Sequence, residues 1–182
     1  MKQKWNLDFT NIEYLLSGRS QQQKAYSILT NHQVLIKLKL FDPMLVGTIP
    51  IGIDVENSDL DIICCFTNKD EFKKLITENF KDKKDFTIRE KQDLNVSTVV
   101  VNFVLEDFPI EIFGQNIPTK DQLAYRHLLV EYKLLKENGE KFRQEIIDLK
   151  NQGCKTEPAF TKALGLIGDP YIELLKCGDP ED

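Results

Sequence analysis

The apolar residues of this chain follow two different periods. Short runs rich in β-branched residues predict five strands, near residues 44–47, 59–66, 86–91, 97–105 and 110–113. Between the second and third strands, four apolar side chains recur at helical spacing and predict a helix over residues 70–80. These side chains are Phe72, Leu75, Ile76 and Phe80. Because they form one apolar stripe, we expect the helix to cover one face of a mixed sheet.

Helical signals dominate both ends of the sequence. Segments with the form of a capping box begin at Thr10, Ser20 and Thr119 and predict three helix N-termini. The third helix is expected to end at Gly139 and to be followed by another over about residues 140–152. Two shorter helices are predicted to start at the pairs Glu157-Pro158 and Asp169-Pro170, since Asp is a favoured N-cap and Pro suits the first turn.

These elements predict an α+β fold, in which a mixed β-sheet is flanked by helices and has a helical N-terminal segment and a helical C-terminal tail. We assign residues 1–118 to an α/β core with N-terminal helices and residues 119–182 to a helical extension packed on it as one compact unit. The 182 residues, of which 41% are apolar and 29% charged, are enough for one globular domain with a proper core.

Composition and net charge argue against several classes of function. No apolar run approaches the roughly 20 residues that span a bilayer, and the N-terminus lacks the apolar core of a secretion signal, so we expect a cytoplasmic protein without membrane contact. The net charge of −5 argues against binding of long nucleic acid, which depends on many Lys and Arg contacts with phosphate. Lysines and acids are mixed over residues 69–91, as on a solvated helix face.

The cysteines, which lack metal-site spacing, are expected to be reduced and structural; they are Cys64, Cys65, Cys154 and Cys177.

Two acids share one face of the second predicted strand. Successive side chains of a strand point to opposite faces, so Asp59 and Asp61 project the same way while Leu60 and Ile62 point into a core. Glu111, which lies between two isoleucines in another strand, is a candidate third ligand by the same alternation. Three carboxylates without a nearby His or Cys suit Mg²⁺ or Mn²⁺ and fit zinc poorly. Each acid alone is also compatible with a solvated strand position.

A glycine turn precedes these acids. Gly47 ends an apolar strand, and a glycine turn lets backbone N–H groups approach a phosphate, with the Thr48 hydroxyl as a further donor. Ser58 stands directly before Asp59. Further along, Tyr125, Arg126 and His127 lie on a predicted helix that can face the same cleft, where Arg126 would contact phosphate and His127 would orient phosphate or an acceptor. The alternative, slightly favoured, is that His127 is a hydrogen-bonded structural residue.

The order Val46, Gly47, Thr48, a spacer of ten residues and Asp59-Leu60-Asp61 resembles the signature of the nucleotidyltransferase superfamily, which includes DNA polymerase beta, the kanamycin nucleotidyltransferases and the minimal nucleotidyltransferases. The family usually has Ser or Gly at the position of Thr48. Most of the chain also resembles a group of small bacterial proteins of unassigned function in that superfamily. That likeness rests on the segments 47–52, 111–115 and 125–127.

The resemblance implies a nucleotidyltransferase-like sheet and an enzyme that uses a nucleoside triphosphate (NTP) and Mg²⁺ or Mn²⁺. Such an enzyme would transfer a nucleoside monophosphate to a hydroxyl group. On charge grounds, the acceptor is expected to be a small molecule or a protein. Asp59, Asp61 and Glu111 would hold the metal ions, and Glu111 would also be placed to accept the hydroxyl proton. The alternatives are a degenerate member that binds a nucleotide or a partner without chemistry, and a structural protein whose acids face water.

Overall fold

A computed structural model describes residues 7–93 and 96–178 of the chain. Five strands form one mixed sheet in the order β1-β2-β5-β4-β3, in which only β2 and β5 are parallel neighbours. The strands are β1 (Met44–Val46), β2 (Leu60–Cys65), β3 (Lys84–Asp93), β4 (Val96–Leu105) and β5 (Phe108–Gln115). The prediction of an α+β fold with a mixed sheet flanked by helices is therefore confirmed.

Helices cover both faces of the sheet. They are α1 (Ser20–Asn31), α2 (Val34–Lys37), α3 (Lys69–Phe80), α4 (Leu123–Asn151), α5 (Thr156–Leu164) and α6 (Pro170–Lys176). On one face, α1 and α3 pack on Leu60, Ile62 and Ile112, which are fully or almost fully buried. On the other face, α4, α5 and α6 pack on β1 and on Ile63. The C-terminal helices α4, α5 and α6 thus lie over the same face that Asp61 occupies.

Two of the three predicted capping boxes do not start a helix as expected, because at Thr10 and Thr119 the capping hydroxyl is hydrogen-bonded to another side chain. The Thr10 hydroxyl donates to Asp8 at 2.6 Å, and only a short 3-10 helix, Glu13–Ser17, follows. Helix α1 begins at Ser20, but Arg19 is its N-cap. The Thr119 hydroxyl donates to a carboxylate of a distant loop, and α4 begins after a 3-10 turn over Thr119–Asp121.

Other boundaries agree with the sequence pattern. Asp169 caps α6 by accepting hydrogen bonds from two backbone N–H groups at 2.9 and 3.3 Å, with Pro170 in the first turn. Gly139 has the non-helical dihedrals φ 75° and ψ −168°, so the predicted break is present as a kink inside one long helix.

All four cysteines are free thiols. Among the described residues, no helix combines the length and the apolar character that crossing a membrane requires.

Candidate active site

Asp61 and Glu111 lie side by side on the sheet. They are register partners in the parallel pair β2–β5, and their strand neighbours Leu60, Ile62 and Ile110 are buried on the opposite face. The alternation of side chains thus turns both acids toward α4, as the sequence pattern predicts. Asp59 immediately precedes β2 and lies close enough for its charge to act on Asp61.

A cleft of about 740 Å³ opens between this face of the sheet and the C-terminal helices. A volume of this size accommodates a nucleotide or another small ligand. Gly47, Thr48, Asp61, Glu111 and His127 all line it. The structure therefore gathers most of the sequence-predicted site residues around one cavity.

Gly47 and Asp61 are in close contact. Gly47 has a φ of +78°, and a Cβ atom built there would lie 2.1 Å from Oδ2 of Asp61. Glycine is needed on both counts, since L-residues avoid this backbone region and the carboxylate occupies the space of a side chain. In the loop that follows, the Ser58 hydroxyl accepts a hydrogen bond from the backbone N–H of Val55 at 2.9 Å and lies 3.5 Å from the Thr48 hydroxyl. These hydroxyls tie the two ends of the loop together.

Side chains from distant helices hold the next part of this loop, residues 49–52. Gln22 of α1 is buried and donates to two of its carbonyl groups, both at 2.9 Å. Arg19 donates to a third carbonyl at 3.2 Å, and Arg143 of α4 donates to two. The loop between the glycine turn and the two aspartates is consequently anchored by residues that precede and follow the sheet in the chain, and the carbonyl groups of residues 49–52 all have hydrogen-bond donors.

The acids influence one another electrostatically. Burial, followed by the negative charges of Asp59 and Glu111, raises the pKa of Asp61 to about 8, and the charge of Lys150 only partly opposes this. Because carboxylates crowded together destabilise their ionised forms, a bound cation would favour ionisation of Asp61. Within residues 7–93 and 96–178, no three or more His, Cys, Asp or Glu side chains are grouped closely enough to hold a metal ion.

A chain of hydrogen bonds orients Glu111. Asn102, its register partner on β4, donates to Oε2 of Glu111 at 3.0 Å. Arg89 of β3 donates in turn to the amide oxygen of Asn102 at 2.9 Å. Neither residue belongs to a short motif, so neither was predicted. Asn102 is identified by its strand register with Glu111, and Arg89 by its side-chain contact with Asn102.

His127 is held by two contacts rather than being free in the cleft. Its Nε2 lies 3.0 Å from the backbone oxygen of Tyr171, and its Nδ1 lies 3.3 Å from a carboxylate oxygen of Glu157. A carbonyl oxygen only accepts hydrogen bonds, so Nε2 carries a hydrogen. Burial raises the pKa of Glu157, but the hydrogen bond from His127 and other favourable interactions outweigh this and leave the pKa below its usual value. The histidine thus ties α4 to α5 and α6.

Several cleft residues were not predicted, and three predicted residues, Asp59, Ser58 and Arg126, are not among the residues that line the cleft. Lys91 and Lys155 bring positive charge to the lining, and Glu131 brings a further buried acid one helical turn after His127. Residues four positions apart lie on the same face of a helix, so the spacing of His127 and Glu131 could have predicted that Glu131 faces the cleft as His127 does. Arg126 is exposed and is not part of the cleft lining, so its predicted contact with phosphate stays a prediction.

Solved structures with a similar fold are nucleotidyltransferases. The GLD-2/RNP-8 complex matches with a TM-score of 0.51 and 16% identity, covering 84% of this chain and 57% of that chain. The Cid1 poly(U) polymerase bound to MgATP matches with a TM-score of 0.54 and 12% identity, covering 78% of this chain and 48% of that one. This chain thus corresponds to about half the length of each. At these identities the likeness shows a nucleotidyltransferase-like fold.

At the level of sequence, no curated protein matches this chain. The family described as "Domain of unknown function (DUF4269)" matches residues 27–177, which include every strand of the sheet and the whole lining of the cleft. The chain therefore belongs to the DUF4269 family.

Proposed function

We propose that this protein transfers a nucleoside monophosphate from an NTP to a hydroxyl group of a small-molecule or protein acceptor, with Mg²⁺ or Mn²⁺ as the cofactor. In this reaction the acceptor oxygen forms a bond to the α-phosphorus and the bond between the α-phosphorus and the bridging oxygen breaks. Pyrophosphate leaves, and the hydroxyl proton is released. The similar Cid1 structure with bound MgATP supports the assignment of an NTP as the donor.

One observation carries the proposal. Asp61 and Glu111 are cross-strand neighbours on the cleft side of a parallel pair, and the Gly47 turn packs directly against the Asp61 carboxylate. Acids and backbone amides therefore meet at one end of the cleft. This is the arrangement that charge neutralisation around a transferring phosphoryl group requires.

The donor set fits a hard divalent cation. Asp59, Asp61 and Glu111 offer only oxygen atoms, which Mg²⁺ and Mn²⁺ prefer, and their mutual repulsion in a buried site would be relieved by a positive ion. When bound, the cation would neutralise triphosphate charge and make the acceptor hydroxyl more acidic. We assign its binding to these three carboxylates.

The remaining residues orient the reactants. Asn102 and Arg89 fix one oxygen of Glu111, which leaves its other oxygen to accept the hydroxyl proton or to bind the cation. Backbone N–H groups after Gly47 and the hydroxyls of Thr48 and Ser58 are assigned to the phosphates.

The test begins with identification of the donor and the acceptor. The purified protein is incubated with each labelled NTP, Mg²⁺ or Mn²⁺ and a cell extract, and the label is located by mass. Pyrophosphate release is then measured with the acceptor so identified. We expect Asp61→Asn and Glu111→Gln each to lower turnover by at least roughly 100-fold, the scale of losing one transition-state stabiliser.

Asp82→Asn, which changes an exposed acid on the loop after α3, is the matched control and should keep full turnover. Undiminished transfer in either site variant would overturn the proposal. Binding of an NTP with no pyrophosphate release under any condition would instead support the degenerate alternative.

A further inference from the structure

Glu131 is a buried acid that the proposed chemistry does not use. It lies on α4 with only 3% of its surface exposed, and it lines the cleft. No residue within 7–93 or 96–178 forms a hydrogen bond or an ion pair with its carboxyl group. Buried polar groups almost always have a partner, because an unpartnered one costs free energy. An unpaired carboxyl that reaches a cavity therefore indicates a group that is supplied from the cavity.

The surroundings of Glu131 indicate the charge of that group. Glu157 lies near enough to add its own negative charge, and together with burial it raises the pKa of Glu131 well above the usual range. Lys150 acts on Glu131 in the opposite direction but lies beyond ion-pair distance. Tyr171, 41% exposed, contributes an aromatic ring to the cleft lining, with its centroid 6.0 Å from that of His127. The carboxyl group of Glu131, the oxygen of Glu157 that His127 does not contact, and an aromatic ring form a surface that favours a cation.

The chemistry points to an ammonium group rather than a metal ion. Next to Glu131 the only other carboxyl group that acts on it is that of Glu157, which already has His127 as a partner among the described residues. An ammonium group donates three hydrogen bonds and is also attracted to the face of an aromatic ring, so Glu131, Glu157 and Tyr171 satisfy it together.

We propose that Glu131, Glu157 and Tyr171 bind a protonated primary amine of the acceptor, which is therefore an amino alcohol. This inference rests on the proposed function and specifies its acceptor. The sheet acids and Glu131 lie on different walls of one cleft. A molecule that places its ammonium group against α4 can extend its hydroxyl toward Asp61 and Glu111.

Serinol and glycerol provide the test, because they share one skeleton and differ only in an ammonium group in place of a hydroxyl. Binding of each is followed by NMR titration of the full chain, without nucleotide or divalent cation. We expect saturable binding of serinol and at least roughly 10-fold weaker binding of glycerol, the scale of a hydrogen bond to a charged group. Glu131→Gln should weaken serinol binding by a similar factor, while Glu137→Gln, on the exposed side of the same helix, should leave it unchanged.

Equal binding of serinol and glycerol by the unaltered protein would overturn the inference and needs no variant that might misfold. Serinol binding that survives Glu131→Gln would overturn it as well. The two proposals fail separately, because the titration does not involve nucleotide transfer. Transfer activity without an ammonium preference would leave the proposed function intact, and an ammonium preference without transfer would do the reverse.

Discussion

Replacing Asp61 by Asn tests the electrostatics of the site through the stability of the protein. The side chain is half-buried near Asp59 and Glu111, and its pKa rises from the ordinary 3.8 to about 8. An Asn side chain has nearly the same shape and carries no charge. The variant should therefore fold more stably near neutral pH even as it loses the proposed transfer activity, which is a common conflict between stability and function.

The size of the effect follows from the difference in pKa. At pH 7 the unfolded chain has an ionised Asp61, whereas most of the folded protein keeps this side chain protonated, so folding takes up nearly one proton. Each pKa unit corresponds to about 1.4 kcal/mol, and the uptake lowers the free energy of unfolding by up to about 4 kcal/mol at pH 7. This destabilisation is absent below the unfolded pKa and grows as the pH rises toward the folded pKa of about 8.

Urea denaturation of the unaltered protein and of Asp61→Asn at several pH values between 4 and 8 measures the effect. The difference in free energy of unfolding should be near zero at pH 4 and should increase in favour of the variant up to pH 8. Asp82→Asn, an exposed substitution, controls for net charge. A difference that does not change with pH, or a variant less stable than the unaltered protein at pH 7, would refute the reasoning.

Three further substitutions test separate parts of the site. Gly47→Ala places a methyl group 2.1 Å from an oxygen of Asp61 at a positive φ, so it should cost about 1–3 kcal/mol by urea denaturation and strongly reduce transfer; normal activity would contradict the close contact. Asn102→Ala removes the hydrogen bond to Glu111 and should lower kcat more than it raises KM for the NTP; an effect on KM alone would argue against an orienting role. Gln22→Ala removes a side-chain donor from two loop carbonyls, of which that of Ile49 keeps a backbone donor, and should lower the free energy of unfolding by about 1–3 kcal/mol; an unchanged value would show that the anchor is dispensable.

The sheet was largely predictable because its signal is local. Alternation and β-branched runs located all five strands to within a few residues, and the apolar stripe of α3 was equally clear. The capping boxes at Thr10 and Thr119 failed for a physical reason, whereas α1 does begin at Ser20. A capping hydroxyl such as that of Thr119 has competing partners, and the one it selects, Asp42, is known only after the chain has folded.

The residues of the candidate site also fall into two groups, those that local sequence patterns predict and those that depend on long-range contacts. Asp61, Glu111 and Gly47 stand out because period-two alternation and a turn residue are visible in the sequence itself. Asn102 and Glu131 are not visible in this way. Their positions depend on strand register and on how α4 lies across the sheet, and both are long-range properties of the fold.

The parallel pairing of β2 with β5 has a consequence for how the centre is assembled. Asp61 and Glu111 are adjacent in space but fifty positions apart along the chain, and α3 with the β3–β4 hairpin fills the interval. Long-range parallel contacts of this kind are slow to form, because closing a large loop costs entropy before any contact compensates for it. The two acids of the candidate site are therefore expected to meet late in folding, so an immature chain would carry both acids without having assembled the site.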